Sequence, residues 1–174
     1  MSKQFNKTIS FNGSVDQILD MFRSESFHEA LAHESTSHSF KLEIKDNSAL
    51  VSSVIETHQM PSDFKKLIGK SLKIFTEQKL PLSAIDDDET CGVQKIQASV
   101  KQASANANLR FYAVGSRCEV TYVGKVKFDF PIGASKAESI LLKFVLKGID
   151  ELEDIGNRWL EEKYQSNNCK RNLE

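Results

Sequence analysis

The chain has 174 residues, 40% hydrophobic and 27% charged, a make-up that suits one domain burying about 70% of the surface its unfolded form would expose. Its 23 basic and 24 acidic side chains leave a net charge of −1, so no overall field draws it to nucleic acid or to an anionic membrane. The opening Met1-Ser2-Lys3-Gln4-Phe5-Asn6-Lys7 lacks the apolar core of a signal peptide, and no stretch approaches about 18 uninterrupted apolar residues; the expectation is a cytoplasmic protein without stable membrane insertion.

Lys3 to Phe11 alternate, with Phe5, Ile9 and Phe11 on one face, and predict a first strand ended by Asn12-Gly13. Ser14 with Gln17 is a capping-box match, followed by Val15, Ile18, Leu19 and Phe22 at helical spacing. Ser26 with Glu29 repeats the signal ahead of Phe27, Ala30 and Leu31, so two short helices follow in tandem. From Ser37 period two returns: Phe40, Leu42 and Ile44 face one way, Lys41, Glu43 and Lys45 the other. Asp46-Asn47 is the turn into a strand from Ala49 to His58 with two partly apolar faces, Val51 and Ile55 against Leu50 and Val54, which leaves its inward side open. Strands joined by so short a turn pair antiparallel.

Met60-Pro61-Ser62-Asp63 breaks the sheet, and Phe64, Leu67 and Ile68 before Gly69 predict a short capping helix or lid. A strand from Ser71 to Gln78 follows; Pro81 and the run Asp86-Asp87-Asp88-Glu89 then read as a solvated connection. Gly92 to Lys101 and Leu109 to Val114 are two further strands, separated by a polar loop from Ala103 to Asn108.

The rest of the chain is organised around Arg117 to Lys163. Cys118, Val120, Tyr122, Val126, Phe128 and Phe130 share one face of a long strand, and Arg117, Glu119, Thr121, Lys125, Lys127 and Asp129 the other. Gly124 interrupts the apolar row, as at a bulge, a bend or a close approach. After a turn at Pro131-Ile132-Gly133, the capping box of Ser135 and Glu138 predicts a helix beginning near Lys136. Ala137, Ile140, Leu141, Phe144, Val145, Ile149, Leu152, Ile155 and Trp159 give it one apolar face. Running to Lys163 it is roughly 40 Å long, enough to cross a sheet. Tyr164 to Glu174 are polar and aperiodic and read as a disordered tail.

This order resembles the helix-grip fold of the START-like, birch-pollen-allergen-like and polyketide-cyclase-like superfamily, SRPBCC. The resemblance rests on Lys3-Gln4-Phe5 leading into Ser14-Val15-Asp16-Gln17-Ile18, and on Phe128-Asp129-Phe130-Pro131-Ile132-Gly133 ahead of the helix. Within the superfamily, Met60-Pro61, Phe64-Lys65-Lys66-Leu67-Ile68-Gly69 and the junction from Pro131 to Glu138 look like an uncharacterised bacterial branch, a domain-of-unknown-function family. The resemblance implies an α+β fold over residues 1–163: a curved antiparallel sheet of about seven strands wrapped on a long C-terminal helix, with two short helices after the first strand. It further implies a cavity for a lipid, sterol or polyketide-like compound. Relatives include carriers, cyclases and dehydratases, and protein-binding modules, and fold does not choose among them.

The residues placed near that cavity are Phe40, Leu42, Ile74, Phe111, Val120, Tyr122, Phe128, Leu141 and Phe144. Tyr122 is the best candidate for a polar group, either orienting a ligand's carbonyl or hydroxyl or simply reaching the rim or a neighbouring carbonyl. Tyr112, on the parity opposite Leu109 and Phe111, is weaker. His28, His33, His38 and His58 lack metal-ligand spacing and read as surface residues. The acidic run lacks the alternation of a calcium loop. Cys91, Cys118 and Cys169 show no C-x-x-C spacing, which points to neither a disulfide framework nor a zinc knuckle; Cys118 reads as a core hydrophobe. Lys65, Lys66, Lys70 and Lys73 form a basic cluster around Phe64 and Leu67, either a plain charged surface or a transient membrane contact. No nucleotide-binding or serine-hydrolase motif is present, and no cofactor, metal or catalytic residue is assigned. The reading is a binding or carrier protein for a hydrophobic small molecule. Its alternatives are a cyclase- or dehydratase-like enzyme using Tyr122, or an interaction module with a filled interior.

Overall fold

Two periodicities, one of two residues and one of three to four, are realised as a single sheet with a helix laid across it. The structure is a computed structural model and describes residues 2–34, 37–45, 48–56, 62, 65, 71–81, 90–98, 103–129 and 134–171. The elements are β1 (Ser2–Phe11), α1 (Val15–Arg23), α2 (Glu25–Glu34), β2 (Ser37–Lys45), β3 (Ser48–Glu56), β4 (Ser71–Lys79), β5 (Thr90–Ala98), β6 (Ala103–Val114), β7 (Arg117–Phe128) and α3 (Ala134–Arg171). The seven strands pair antiparallel in the order β1-β7-β6-β5-β4-β3-β2. The sheet curves around α3 in the helix-grip arrangement.

Residues 103–108 are not a loop. They are the first half of β6, paired residue by residue with β7 from Ala103 opposite Phe128 to Asn108 opposite Val123. Ala103, Ala105 and Ala107 are buried, whereas Asn106 and Asn108 are exposed, so the stretch alternates like any half-buried strand. Alanine and asparagine are poor strand formers alone, and here the ladder with β7 overrides that preference. Register also settles the inward side of β3, because Ala49, Val51 and Ser53 stand beside the inner-face Gln78, Thr76 and Ile74 of β4.

The three capping boxes fare differently. At α1, Ser14 N–H donates to Gln17 Oε1 (2.8 Å) and Gln17 N–H to Ser14 Oγ (3.3 Å), as its sequence predicts. Helix α2 starts ahead of the Ser26 box: His28 N–H donates to Ser24 O (3.2 Å), because Ser26 Oγ is taken up by Trp159 Nε1–H (3.2 Å) and Ser24 Oγ (2.9 Å). Helix α3 starts at Ala134, and the Glu138 carboxylate, only 1% exposed, accepts Phe128 N–H (3.4 Å) from the end of β7. The helix runs on to Arg171, past Lys163. Tyr164 still packs on the core, and no proline or glycine follows it to stop the helix. The Met60-Pro61 break, the lid at 64–69 apart from residue 65, the acidic run 86–89 and the turn 131–133 lie outside the described residues.

Helices α1 and α2 fill one end of the trough between sheet and α3 with aromatic rings. Phe22 meets Phe11, Phe27 and Phe111 edge-on at 6.0, 5.9 and 6.3 Å between centroids, and Phe27 meets Trp159 at 5.8 Å. Helix α3 sits very close there: a Cβ on Gly156 would lie 2.5 Å from Phe11 Cε1. The same helix covers edge strand β1. Lys3 Nζ donates to Ser139 Oγ (2.6 Å), Lys7 pairs with Asp150 (2.6 Å), Ser10 N–H donates to Glu153 Oε1 (2.9 Å), and Asn157 bonds both Asn12 N–H (2.7 Å) and Ser10 O (2.9 Å). Backbone groups of an open edge are thus satisfied by side chains.

Candidate functional site

Away from the aromatic end the inner face runs short of side-chain volume. The register sets Phe5, Gly124, Ala107 and Gln94 in one row across β1, β7, β6 and β5, with Ala105 beside Val126 and Ile96 in the next. Gly124 is a close approach rather than a bulge, because a Cβ there would lie 2.3 Å from Asn106 O and 2.7 Å from Phe5 Cζ. Opposite, α3 presents Gly148, where a Cβ would meet nothing within 4 Å.

Small residues on both walls leave an apolar cavity of about 310 Å³ between sheet and helix. Its sheet wall comes from Phe5, Ile74, Thr76, Gln94, Ile96, Ala105, Asn106, Ala107 and Tyr122; Leu31 adds a contact from α2, and Leu141, Phe144, Val145, Gly148, Ile149 and Leu152 form the helix wall. Among the described residues no lining side chain is charged. A wider furrow of about 780 Å³ lies on the opposite face over Val93 and Val123, ringed by Asn6, Asn106, Asn108, Lys95 and Lys125. It is more open and more polar than the inner cavity, so it withdraws less of a ligand from water.

Tyr122 is the most deeply buried polar side chain of the cavity wall. It is fully buried, and among the described residues its Oη has no hydrogen-bond partner. Burial first, and Cys118 second, push its phenol above the ordinary tyrosine range, which keeps it a neutral O–H donor. Gln78, opposite Gln94 in the ladder, is likewise buried with Nε2 unpartnered among the described residues. Burial pushes the Cys118 thiol up to about 12, opposed by the backbone of Tyr112 and helped by Glu119, so it stays protonated and unreactive.

Of the nine residues nominated from sequence, the structure brings Ile74, Tyr122, Leu141 and Phe144 together in the cavity wall. Phe111 and Val120 pack in the solid core with Phe22 and Leu109. Phe128 joins Ala103 and Ala137 in a smaller cluster bordered by Ile74 and Leu141. Phe40 and Leu42 sit half-buried on edge strand β2 beside Ser53 and Val51, outside the cavity. Sequence reasoning missed Phe5, Ala105, Ala107, Gln94 and Gly148. The signal for the alanines was their own alternation, and for Gly148 its place in the middle of a helix.

His28 is not a surface histidine: it is 7% exposed, and its Nε2–H donates to Phe22 O (2.8 Å). Burial lowers its pKa, against a rise from that carbonyl. Its ring lies 5.7 Å from Phe27, as part of the aromatic plug. Among the described residues no group of His, Cys, Asp and Glu has metal-site geometry, and no helix is long and apolar enough to cross a membrane. Of the basic cluster, Lys66 and Lys70 lie outside the described residues, while Lys73 is exposed on β4.

The family model DUF2505, described as a protein of unknown function, matches residues 6–160. No curated protein matches the chain in sequence. Among solved structures, the di-domain ARO/CYC StfQ from the steffimycin biosynthetic pathway superposes with a TM-score of 0.64 at 10% identity, over 95% of this chain and 53% of that one. A START superfamily protein from Mycobacterium smegmatis gives 0.58 at 12%, over 90% and 98%. Norcoclaurine synthase from Thalictrum flavum, in complex with dopamine and hydroxybenzaldehyde, gives 0.57 at 10%, over 92% and 88%. At such identities the likeness establishes a common fold of the START and polyketide-cyclase kind.

Proposed function

The chain belongs to the DUF2505 family of proteins of unknown function, and we propose that this member binds a hydrophobic small molecule between its sheet and α3, as a carrier or sequestering protein. The observation that carries the reading is the apolar cavity of about 310 Å³, within the range of about 300–1,000 Å³ of small-molecule sites. Ala105, Ala107 and Gly148 line it, small residues on facing walls that leave the space between them unfilled. One protein of this fold, the norcoclaurine synthase, holds two small aromatic molecules, which supports use of the fold in this way.

An enzymatic reading centred on Tyr122 has less support. A phenol held above its ordinary range is a weak acid, and among the described residues the lining offers no carboxylate, imidazole or ammonium to exchange a proton with it. A module with a filled interior is disfavoured by the cavity itself.

Native mass spectrometry of the protein purified from its source cell tests the proposal. The expected result is a bound small molecule released on denaturation and lost in Ala105→Leu, which fills the cavity from the sheet side while the fold melts no lower. A bare protein mass, with no uptake of apolar compounds by the purified chain, overturns it.

A further inference from the structure

We infer that the ligand of this cavity is a compact, uncharged molecule of about two fused rings whose carbonyl-type oxygen accepts the Tyr122 hydroxyl. The inference rests on the binding reading above and narrows it, against fatty acids, phosphorylated lipids and full sterols.

Three independent features lead there. The first is size. A dry cavity of about 150 Å³ is known to admit benzene; this one has about 310 Å³. Scaling gives on the order of 12 non-hydrogen atoms, the bulk of a bicyclic compound. A four-ring sterol or a long acyl chain exceeds that volume and would have to extend past Phe144 and Gly148, which are exposed.

The second is charge. Among the described residues the lining carries no lysine, arginine or histidine. A carboxylate or phosphate seated beside Tyr122 would be stripped of water with no cation among the described lining residues to meet it, which disfavours the ionised form at that depth. The amide of Gln94 and the hydroxyl of Thr76 are the remaining polar side chains on the β4 and β5 side of the wall, and both suit a neutral polar atom.

The third is the donor. Tyr122 Oη is buried without a partner among the described residues, whereas buried polar groups are normally satisfied. Its phenol keeps its proton, so the unmet requirement is for an acceptor, which a ketone or similar oxygen supplies. The ring of Phe5 and that of Phe144 lie on opposite walls, with only the small Ala105 and Ala107 on the sheet and Gly148 on the helix beside them. A flat ring system fits the space so bounded.

The test uses the purified full-length chain and three probes: 1-tetralone, tetralin, which has the same shape without the carbonyl, and decanoate. Calorimetric titration should show 1-tetralone binding about tenfold more tightly than tetralin, the worth of one hydrogen bond to a buried donor. In Tyr122→Phe the two should bind alike, with tetralin unchanged, and decanoate should give no heat with either protein. Circular dichroism confirms that the variant is folded. Equal binding of tetralone and tetralin by the wild type, or tighter binding of decanoate, overturns the inference while leaving the cavity as a binding site. If none of the three binds and a different ligand co-purifies, the ligand class is wrong and the carrier reading stands. If none binds and nothing co-purifies, both fall.

Discussion

Two glycines in α3 make opposite demands, although helix propensity treats them alike. Replacing either by alanine should favour the helical backbone by about 0.8–1.0 kcal/mol. At Gly148 nothing opposes that gain, because an added Cβ meets no atom within 4 Å. At Gly156 the Cβ would lie 2.5 Å from Phe11 Cε1 and 3.2 Å from Met21 Cε, against an ordinary carbon contact of about 3.5–4.0 Å. Phe11 has no room to retreat: it is fully buried and edge-on to Phe22 at 6.0 Å. Such overpacking costs about 1–3 kcal/mol. The propensity gain is common to both variants, so they should differ by that full cost. At about 2–4 °C per kcal/mol for a domain of this size, Gly148→Ala should melt about 2–4 °C above wild type and Gly156→Ala well below Gly148→Ala. Thermal denaturation followed by circular dichroism, with urea midpoints as a check, measures both. Variants melting together, or Gly156→Ala melting higher, would refute the placement of α3 on Phe11.

Tyr122→Phe should stabilise the ligand-free protein by about 1–2 kcal/mol by removing a buried hydroxyl that has no partner among the described residues; a lower urea midpoint than wild type would mean the hydroxyl is satisfied. Gly124→Ala should cost about 3 kcal/mol or more, because its Cβ is driven onto the backbone oxygen of Asn106 at 2.3 Å, and an undiminished midpoint contradicts the close approach. His28, with a pKa lowered by burial, binds its proton more readily when unfolded. Its contribution is therefore complete above the ordinary value of 6.5 and is lost as pH falls from there through the lower folded value. Stability measured across that range should decline in wild type and decline less in His28→Gln.

The sequence was most legible where one residue type dominates one face. The alternation of β7 and the Ser14-Gln17 box needed only local chemistry, and both are present in the structure. The box at Ser135 was misleading because Glu138 has a second suitor, the Phe128 amide, which only the packing of α3 against β7 brings near. Ser26 was lost to Trp159 in the same way, from a partner far along the chain. Parity correctly put Phe111, Val120 and Tyr122 on the inner face but did not say which of them would face solid core. That depends on where the aromatic plug of α1 and α2 ends, a matter of three-dimensional volume. The alanine-asparagine stretch of β6 was hardest to read as a strand because it lacks bulky β formers, and that same lack opens the cavity.

The pairing of β1 with β7 joins residues 2–11 to residues 118–127, and this has a consequence during synthesis. At about 5–20 residues per second, a ribosome takes on the order of ten seconds to reach Cys118 after making its partner Phe11. Phe5, Ile9 and Phe11 have no sheet to enter until then, and Glu153 and Asn157, which cap the outer edge of the strand, emerge later still. A nascent chain of this topology therefore travels with its opening strand uncovered until the second half of the protein has been made.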